Sequence, residues 1–491
     1  MPHDRSEVHL SADLSADLAA QPGRARESTA FRIAIVGNFS GRVSTGASRP
    51  VAGRRTWRID RDEVDAVLSR IAPELHITLD PSEPPLAIAV SALGDFHPDR
   101  LLQRLPIFQR LLSLRREVMA APASPAAPPR RAERADAVAV DLSAGSLLDR
   151  IVESAQPETA STRQAARPDE LSDFVARAVR SHMVAESTPE QRGLVAKVDD
   201  VIVATMRVLL HHPQFQSLES LWRGVDFLVR RLETSESMQV YLADVTREEL
   251  MADLSSADIT RTATYQLLGD DAGRPGEQVW SLLVGAYTFE PGDGELLSAL
   301  ATVGRALGAP WLAAAHPTFL GVESFAGTDP DDWAPARSAA FDELRTSAVA
   351  PFLSLSTPRF LVRVPYGRRG EECEKLPFEE LGDDPPDNES FCWANPAFVS
   401  ALAIGGSVAD DGVPATRATI DRLPLYVAPV NGEPTATPCA EVLLTQHAVE
   451  ELLDAGLTAL VSPRDADTIV IPRLQSVARP PRPLAIRTPT A

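Results

Sequence analysis

The stretch from Val198 to Leu254 is the part of the sequence that most constrains the fold. Within it Phe215, Leu218, Leu221, Trp222, Val225, Leu228, Val229 and Leu232 recur at helical spacing, so one face of a long helix is built for burial. Pro213 suits the first turn of that helix, where a missing N–H removes no hydrogen bond. A strand-like run rich in Val, Tyr and Leu follows from Met238 to Val245. Thr246 and Glu249 then make a capping box for the next helix. Nothing in the segment is reactive, and its content is architectural.

The rest of the chain has the same α/β rhythm. GEQVWSLLVGAYTF reads as a strand buried on both faces, Gly294 to Leu307 as a helix, and PWLAAAH as a second strand. Strand, crossover helix and strand imply a parallel pair with a right-handed connection. Gly292 and Gly294 give the turn before the helix, and Gly308 ends it. The expected class is α/β, with layered mixed or parallel sheets and flanking helices. At 491 residues the chain should hold more than one domain.

The expected boundaries follow composition. Residues 1–28 form a polar tail with the short repeat SADLSADLAA, and 29–120 a first α/β unit. Residues 121–139 are an Ala, Pro and Arg-rich linker, too poor in apolar surface to fold alone. Residues 140–166 carry an amphipathic helix and a connector, 167–482 a large α/β domain, and 483–491 a proline-rich tail.

The net charge of −20 argues against a nucleic-acid binder, which needs a basic face. Cys373, Cys392 and Cys439 are far apart with no CxxC pair, and read as reduced cytosolic thiols. No apolar run reaches membrane-spanning length, and the N-terminus lacks the basic and apolar regions of a signal peptide. The expectation is a cytoplasmic protein without membrane insertion.

Several blocks resemble the contractile sheath of type VI secretion, a relative of phage tail sheaths. The run HHPQFQSLESLWRGVDFLV resembles the sheath's large subunit through His211, His212, Pro213, Phe215, Leu218, Glu219, Trp222, Arg223 and Gly224. So do PWLAAAHPTFL, RFLVRVPYG, FCWANPAFVSALAI and the segment from Leu423 to Pro480, in family order. Upstream, FRIAIVGNFSGR and GDFHPDRLLQRLPIFQRLLSLRREV resemble the small subunit. The resemblance implies small and large subunits fused on one chain, which fixes their stoichiometry and raises their effective concentration. It also implies that the strand bearing Phe31, Ile33 and Ile35 is an interface strand. The helix carrying Leu147, Leu148, Ile151 and Val152 resembles the one gripped by an AAA+ unfoldase after contraction. Docking of that helix on its own domain is the competing reading.

Candidate chemical sites are weak. His211 and His212 are adjacent and so point to different sides, unlike an i, i+4 metal pair. Gly37 to Gly41 follows a strand but lacks both the Gly-Lys-Ser/Thr of a nucleotide loop and a G-x-G-x-x-G pattern, and reads as a tight turn. Glu371, Glu372, Glu374, Glu379 and Glu380 surround Cys373 and read as a solvated loop. No nucleophile elbow is present. No catalytic, cofactor or metal site is expected.

The resembled large subunit continues into a β-rich extension that adds strands to a neighbour's sheet. This sequence stops at PPRPLAIRTPTA, whose prolines remove ladder donors. The expectation is that the chain alone does not form long contractile tubes. The expected function is that of a structural component of a type VI-like contractile apparatus, acting by assembly and packing. Expected partners are other sheath or baseplate subunits, an inner-tube protein and an AAA+ unfoldase. A non-contractile scaffold, cap or baseplate adaptor is the alternative, and an enzyme on the α/β core ranks last.

Overall fold

The structure is a computed structural model; it describes residues 30–82, 84–120, 188–256, 258–270, 280–336, 338–382, 387–430 and 433–488. The strands are β1 (Phe31–Gly37), β2 (Trp57–Ile59), β3 (Glu74–Ile77), β4 (Leu86–Ala89), β5 (Met238–Asp244), β6 (Leu282–Phe289), β7 (Trp311–Ala315), β8 (Leu353–Thr357), β9 (Phe360–Leu361), β10 (Trp393–Ala394), β11 (Ala418–Ile420), β12 (Tyr426–Val430), β13 (Glu433–Thr437), β14 (Thr458–Ala459) and β15 (Ile469–Ile471). The α-helices are α1 (Val64–Ile71), α2 (Pro98–Arg104), α3 (Pro106–Ala120), α4 (Pro189–Leu210), α5 (Pro213–Arg231), α6 (Arg247–Leu254), α7 (Ala263–Asp270), α8 (Gly294–Leu307), α9 (Ala339–Thr346), α10 (Ala397–Asp411) and α11 (Gln446–Asp454).

A seven-stranded sheet in the order β14-β8-β7-β6-β1-β5-β2 organises these elements. All neighbours are parallel except β2, which runs antiparallel to β5 at one edge. The sheet is therefore mixed. β1 comes from the N-terminal part of the chain, yet it lies in the interior of the sheet. Its residues pair with β5 from Phe31↔Met238 to Gly37↔Asp244, and with β6 from Ile33↔Leu282 to Val36↔Gly285. FRIAIVG is buried along its whole length, as a strand covered on both faces must be.

Strand alternation separates two cores. Phe31, Ile33 and Ile35 enter one cluster while Ala34 and Val36 enter the other. Helices α1 to α5 and α10 contribute to the first, and α6 to α9 and α11 to the second. The β6–α8–β7 unit is the expected parallel crossover, closed by Gly308 at φ 73°. The strand in GEQVWSLLVGAYTF begins at Leu282. The turn after β1 ends at Gly41, whose φ of 69° favours glycine; a Cβ there would sit 3.2 Å from the Glu74 carbonyl.

The tail after Pro480 is fastened to the body. Ala485 donates to the Pro351 carbonyl at 3.0 Å, and Leu484 and Ile486 pack against the first core.

Candidate functional site

The long helix forms as its periodicity predicts. Phe215, Leu218, Leu221, Trp222, Val225, Leu228 and Val229 are buried on α5. His212 is its N-cap: Nδ1 accepts from the Gln214 N–H at 3.3 Å, with Pro213 at the first helical position. His97-Pro98 and His316-Pro317 repeat the arrangement, with Nδ1 accepting from the Asp99 and Thr318 N–H groups. Each of these bonds needs a bare Nδ1. Burial lowers the pKa of His212, which keeps that ring neutral.

The residues of the HHPQFQSLESLWRG motif reach three different parts of the molecule. Phe215 meets Phe96 edge to face, with centroids 5.6 Å apart. Trp222 packs edge-on against Phe39, and its Nε1 donates to the Phe39 carbonyl at 3.1 Å. Leu218 lies under the Gly41 turn. Gly224 lets α10 approach, since a Cβ there would fall 2.6 Å from the Phe398 ring. The motif is a packing hub between the N-terminal region and the rest of the chain.

Glu219 and Arg223 extend that hub into a buried ionic cluster. Glu219 is fully buried and accepts from Arg223 Nε at 2.8 Å and from Arg363 Nε and Nη2 at 2.7 and 3.2 Å. Arg363 also clasps Glu380 with two bonds of 2.7 and 2.9 Å. Arg223 donates to the Tyr366 hydroxyl at 2.8 Å, and the Tyr366 N–H donates to Glu380 at 2.7 Å. His211 Nε2 lies 3.6 Å from Glu380. Burial alone would raise the Glu380 pKa. The Arg363 charge and hydrogen bonds from Arg363 and the Tyr366 backbone outweigh it and hold the carboxyl at about 2. Burial likewise drives the Tyr366 phenol up.

A second cluster ties the loop after β1 to α6. Glu249 keeps its capping-box bonds with Thr246 while accepting from Arg42 and from Arg54. It also accepts from the Arg49 N–H at 2.9 Å. Arg42 bonds Asp244 at the end of β5 as well. Burial opposes ionisation of Glu249, but the two arginines hold its pKa far below the carboxylate range. The sequence gives the capping box but no hint of these arginines, which lie about 200 residues upstream.

Two expectations are corrected by this geometry. Glu380 is no solvated loop residue: it is 1% exposed and clasped by Arg363. Phe31, Ile33 and Ile35 do not offer an open strand edge to another copy, because both hydrogen-bonding edges of β1 are taken by β5 and β6. Leu147, Leu148, Ile151 and Val152 lie outside the described residues.

A cleft of about 610 Å³ opens at the carboxyl ends of β1 and β6, beside the start of α5. Asn38, Pro213, Arg247, Tyr287 and Trp393 are among its lining residues. Among the described residues, no three His, Cys, Asp or Glu side chains are grouped to hold a metal ion. Nor is any helix among them long and apolar enough to cross a membrane.

The chain is similar to known proteins over both of its described regions. Residues 192–478, more than half of the chain, match the family model described as VipB: EvpB/VC_A0108, tail sheath N-terminal domain. Residues 17–126 match the model described as type VI secretion system, VipA, VC_A0107 or Hcp2. The type VI secretion system sheath protein TssC1 of Pseudomonas aeruginosa is 28% identical over 306 residues, covering 59% of this chain and 61% of that protein. The chain thus spans about three fifths of the length of this relative. With β1 of the VipA-like region built into the sheet of the VipB-like region, the chain belongs to the type VI secretion tail-sheath family and carries both kinds of sheath region on one polypeptide.

Proposed function

We propose that this chain is a fused structural subunit of a type VI-like contractile apparatus, acting by assembly and packing rather than by catalysis. The observation that carries the reading is the insertion of β1 between β5 and β6, which makes one sheet from the regions that match VipA and VipB. A unit cross-linked by buried ion clusters suits a part that moves as one body while its contacts with neighbours switch between two packings.

On this reading residues 29–120 act as the small-subunit part and 167–482 as the large-subunit part. The chain works in the cytoplasm, and its partners are other sheath or baseplate subunits, an inner-tube protein and an AAA+ unfoldase acting on the helix around Leu147 and Leu148. Negative-stain electron microscopy of the purified full chain, across protein and salt concentration, tests it. Ordered rings or short stacks are expected, and no long tubes. Particles that stay monomeric at every concentration would overturn the polymerising role.

A further inference from the structure

The helices on the two sides of the seven-stranded sheet differ in their balance of charge. On the first-core face, α1 to α5 and α10 hold twelve Lys and Arg against ten Asp and Glu. On the second-core face, α6 to α9, α11 and the turn at 330–332 hold three arginines against twelve carboxylates. The division is sharpest between the pair α2 and α3 and the pair α9 and α11. α2 and α3 carry Arg100, Arg104, Arg110, Arg115 and Arg116 against only Asp99 and Glu117. Arg104 pairs with Asp95 and Arg115 with Asp199. Arg100, Arg110 and Arg116 are exposed, and among the described residues none has a carboxylate partner.

Across the sheet, α9, α11 and the 330–332 turn form one continuous acidic surface. Thr445 at the start of α11 bonds Asp331 at 2.6 Å, and Arg345 of α9 bonds the Asp454 carbonyl at 2.8 Å. Asp332, Glu343, Glu450 and Asp454 are exposed there. Arg345, the single Lys or Arg on these three elements, is buried and donates to the backbone carbonyls of Val477 and Asp454. Arg479 borders that surface through its N–H bond to the Arg345 carbonyl, but among the described residues none of the surface's carboxylates is held in a salt bridge.

We propose that the arginine face of α2 and α3 docks on the acidic face of α9 and α11 of a second copy of this chain. The partner is inferred from charge complementarity, since the chain carries both halves of the match. Their positions on opposite faces matter: such a contact is head-to-tail, and a head-to-tail contact repeats into rings or helical arrays. The proposal deepens the assembly role above and rests on it, by naming the surfaces that meet. It also explains how subunits with a net charge of −20 can approach, by steering the arginines of α2 and α3 to their complement.

The test uses full-length chain in sedimentation velocity at low and high salt, with two exposed triple reversals: Arg100→Glu, Arg110→Glu, Arg116→Glu, and Asp332→Lys, Glu343→Lys, Asp454→Lys. Wild type should self-associate at about 20 mM salt and dissociate near 0.5 M, where screening shortens to a few Å. Each reversal alone should weaken association on the order of tenfold or more. An equimolar mixture of the two should restore it, because each variant now presents the complement of the other. A mere loss of fold would not be rescued by mixing; should either reversal unfold by circular dichroism, the corresponding Gln and Asn neutralisations carry the same single-variant test. Association of either variant equal to wild type, or a mixture that stays dissociated while both variants are folded, overturns the proposal. Ordered assemblies from a reversal variant would overturn these surfaces while leaving the sheath role standing. Wild type that never associates would overturn both.

Discussion

Removing the Glu219 carboxylate should unbalance the buried cluster. In the native chain Glu219 and Glu380 face Arg223 and Arg363, two charges against two, with bonds of 2.7 to 3.2 Å. Glu219→Met keeps the bulk but leaves two arginines against one carboxylate. Breaking a buried pair from one side costs about 3–5 kcal/mol. The Arg223 side chain is 21% exposed and can turn partly to water, so the lower end, about 3 kcal/mol, is expected. Adding Arg223→Met should then recover stability. The remaining Arg363–Glu380 pair is neutral and doubly bonded, and the main further loss is the Arg223–Tyr366 bond, about 1 kcal/mol. The double variant should therefore sit about 1–2 kcal/mol below wild type and above the single variant. Urea denaturation followed by circular dichroism measures all three. If Glu219→Met loses under about 1 kcal/mol, or if the double variant is less stable than the single, the cluster does not act as a balanced set.

Three further changes probe other contacts. Trp222→Ala removes a fully buried ring and its bond to Phe39, and should lower stability by about 3–5 kcal/mol; a loss near 1 kcal/mol in the same denaturation assay would contradict the packing of α5. Gly224→Ala gains about 1 kcal/mol of helix propensity but drives a Cβ into the buried Phe398 ring, so a net loss of about 1–2 kcal/mol is expected; a stabilised variant would show that α10 can retreat. Glu380 has its folded pKa depressed to about 2 from 4.5, so its contribution is complete above pH 4.5 and is lost as pH falls toward 2. That contribution is on the order of 3 kcal/mol. Stability measured across this window should fall less steeply for Glu380→Gln than for wild type, and parallel curves would refute the assignment.

Much of the local structure was legible because its causes are local. The α5 face, the Pro213 start, the Thr246–Glu249 box and the Gly308 cap each rest on residues within a few positions of one another. The destination of β1 was not legible. FRIAIV announces a buried strand, but parallel pairing leaves no mark in the sequence to say that Met238 and Leu282 stand beside it. Glu380 was misread for a related reason. Its neighbours Glu371, Glu372, Glu374 and Glu379 make the segment look solvated, while the Arg363 that buries it belongs to an apolar run upstream. Arg42 and Arg54 escaped notice because nothing near them in sequence calls for a carboxylate. The charge division between the faces was hidden by the overall acidity and emerges only when helices are sorted by the core they cover.

The interior place of β1 also sets an order of events during synthesis. β1 leaves the ribosome first, but its partner β5 follows about 200 residues later, roughly 10–40 s at ordinary elongation rates. Throughout that interval FRIAIVG has neither of the strands that flank it in the sheet, with Arg32 as its only charge. Such a segment is a template for pairing with another nascent chain. The sheet can close only when β5 and β6 arrive, so folding is dominated by contacts remote in sequence and should be slow. A fused chain brings those strands to the same polypeptide on every round of translation, so the waiting strand meets its own partners before it must search for those of another molecule.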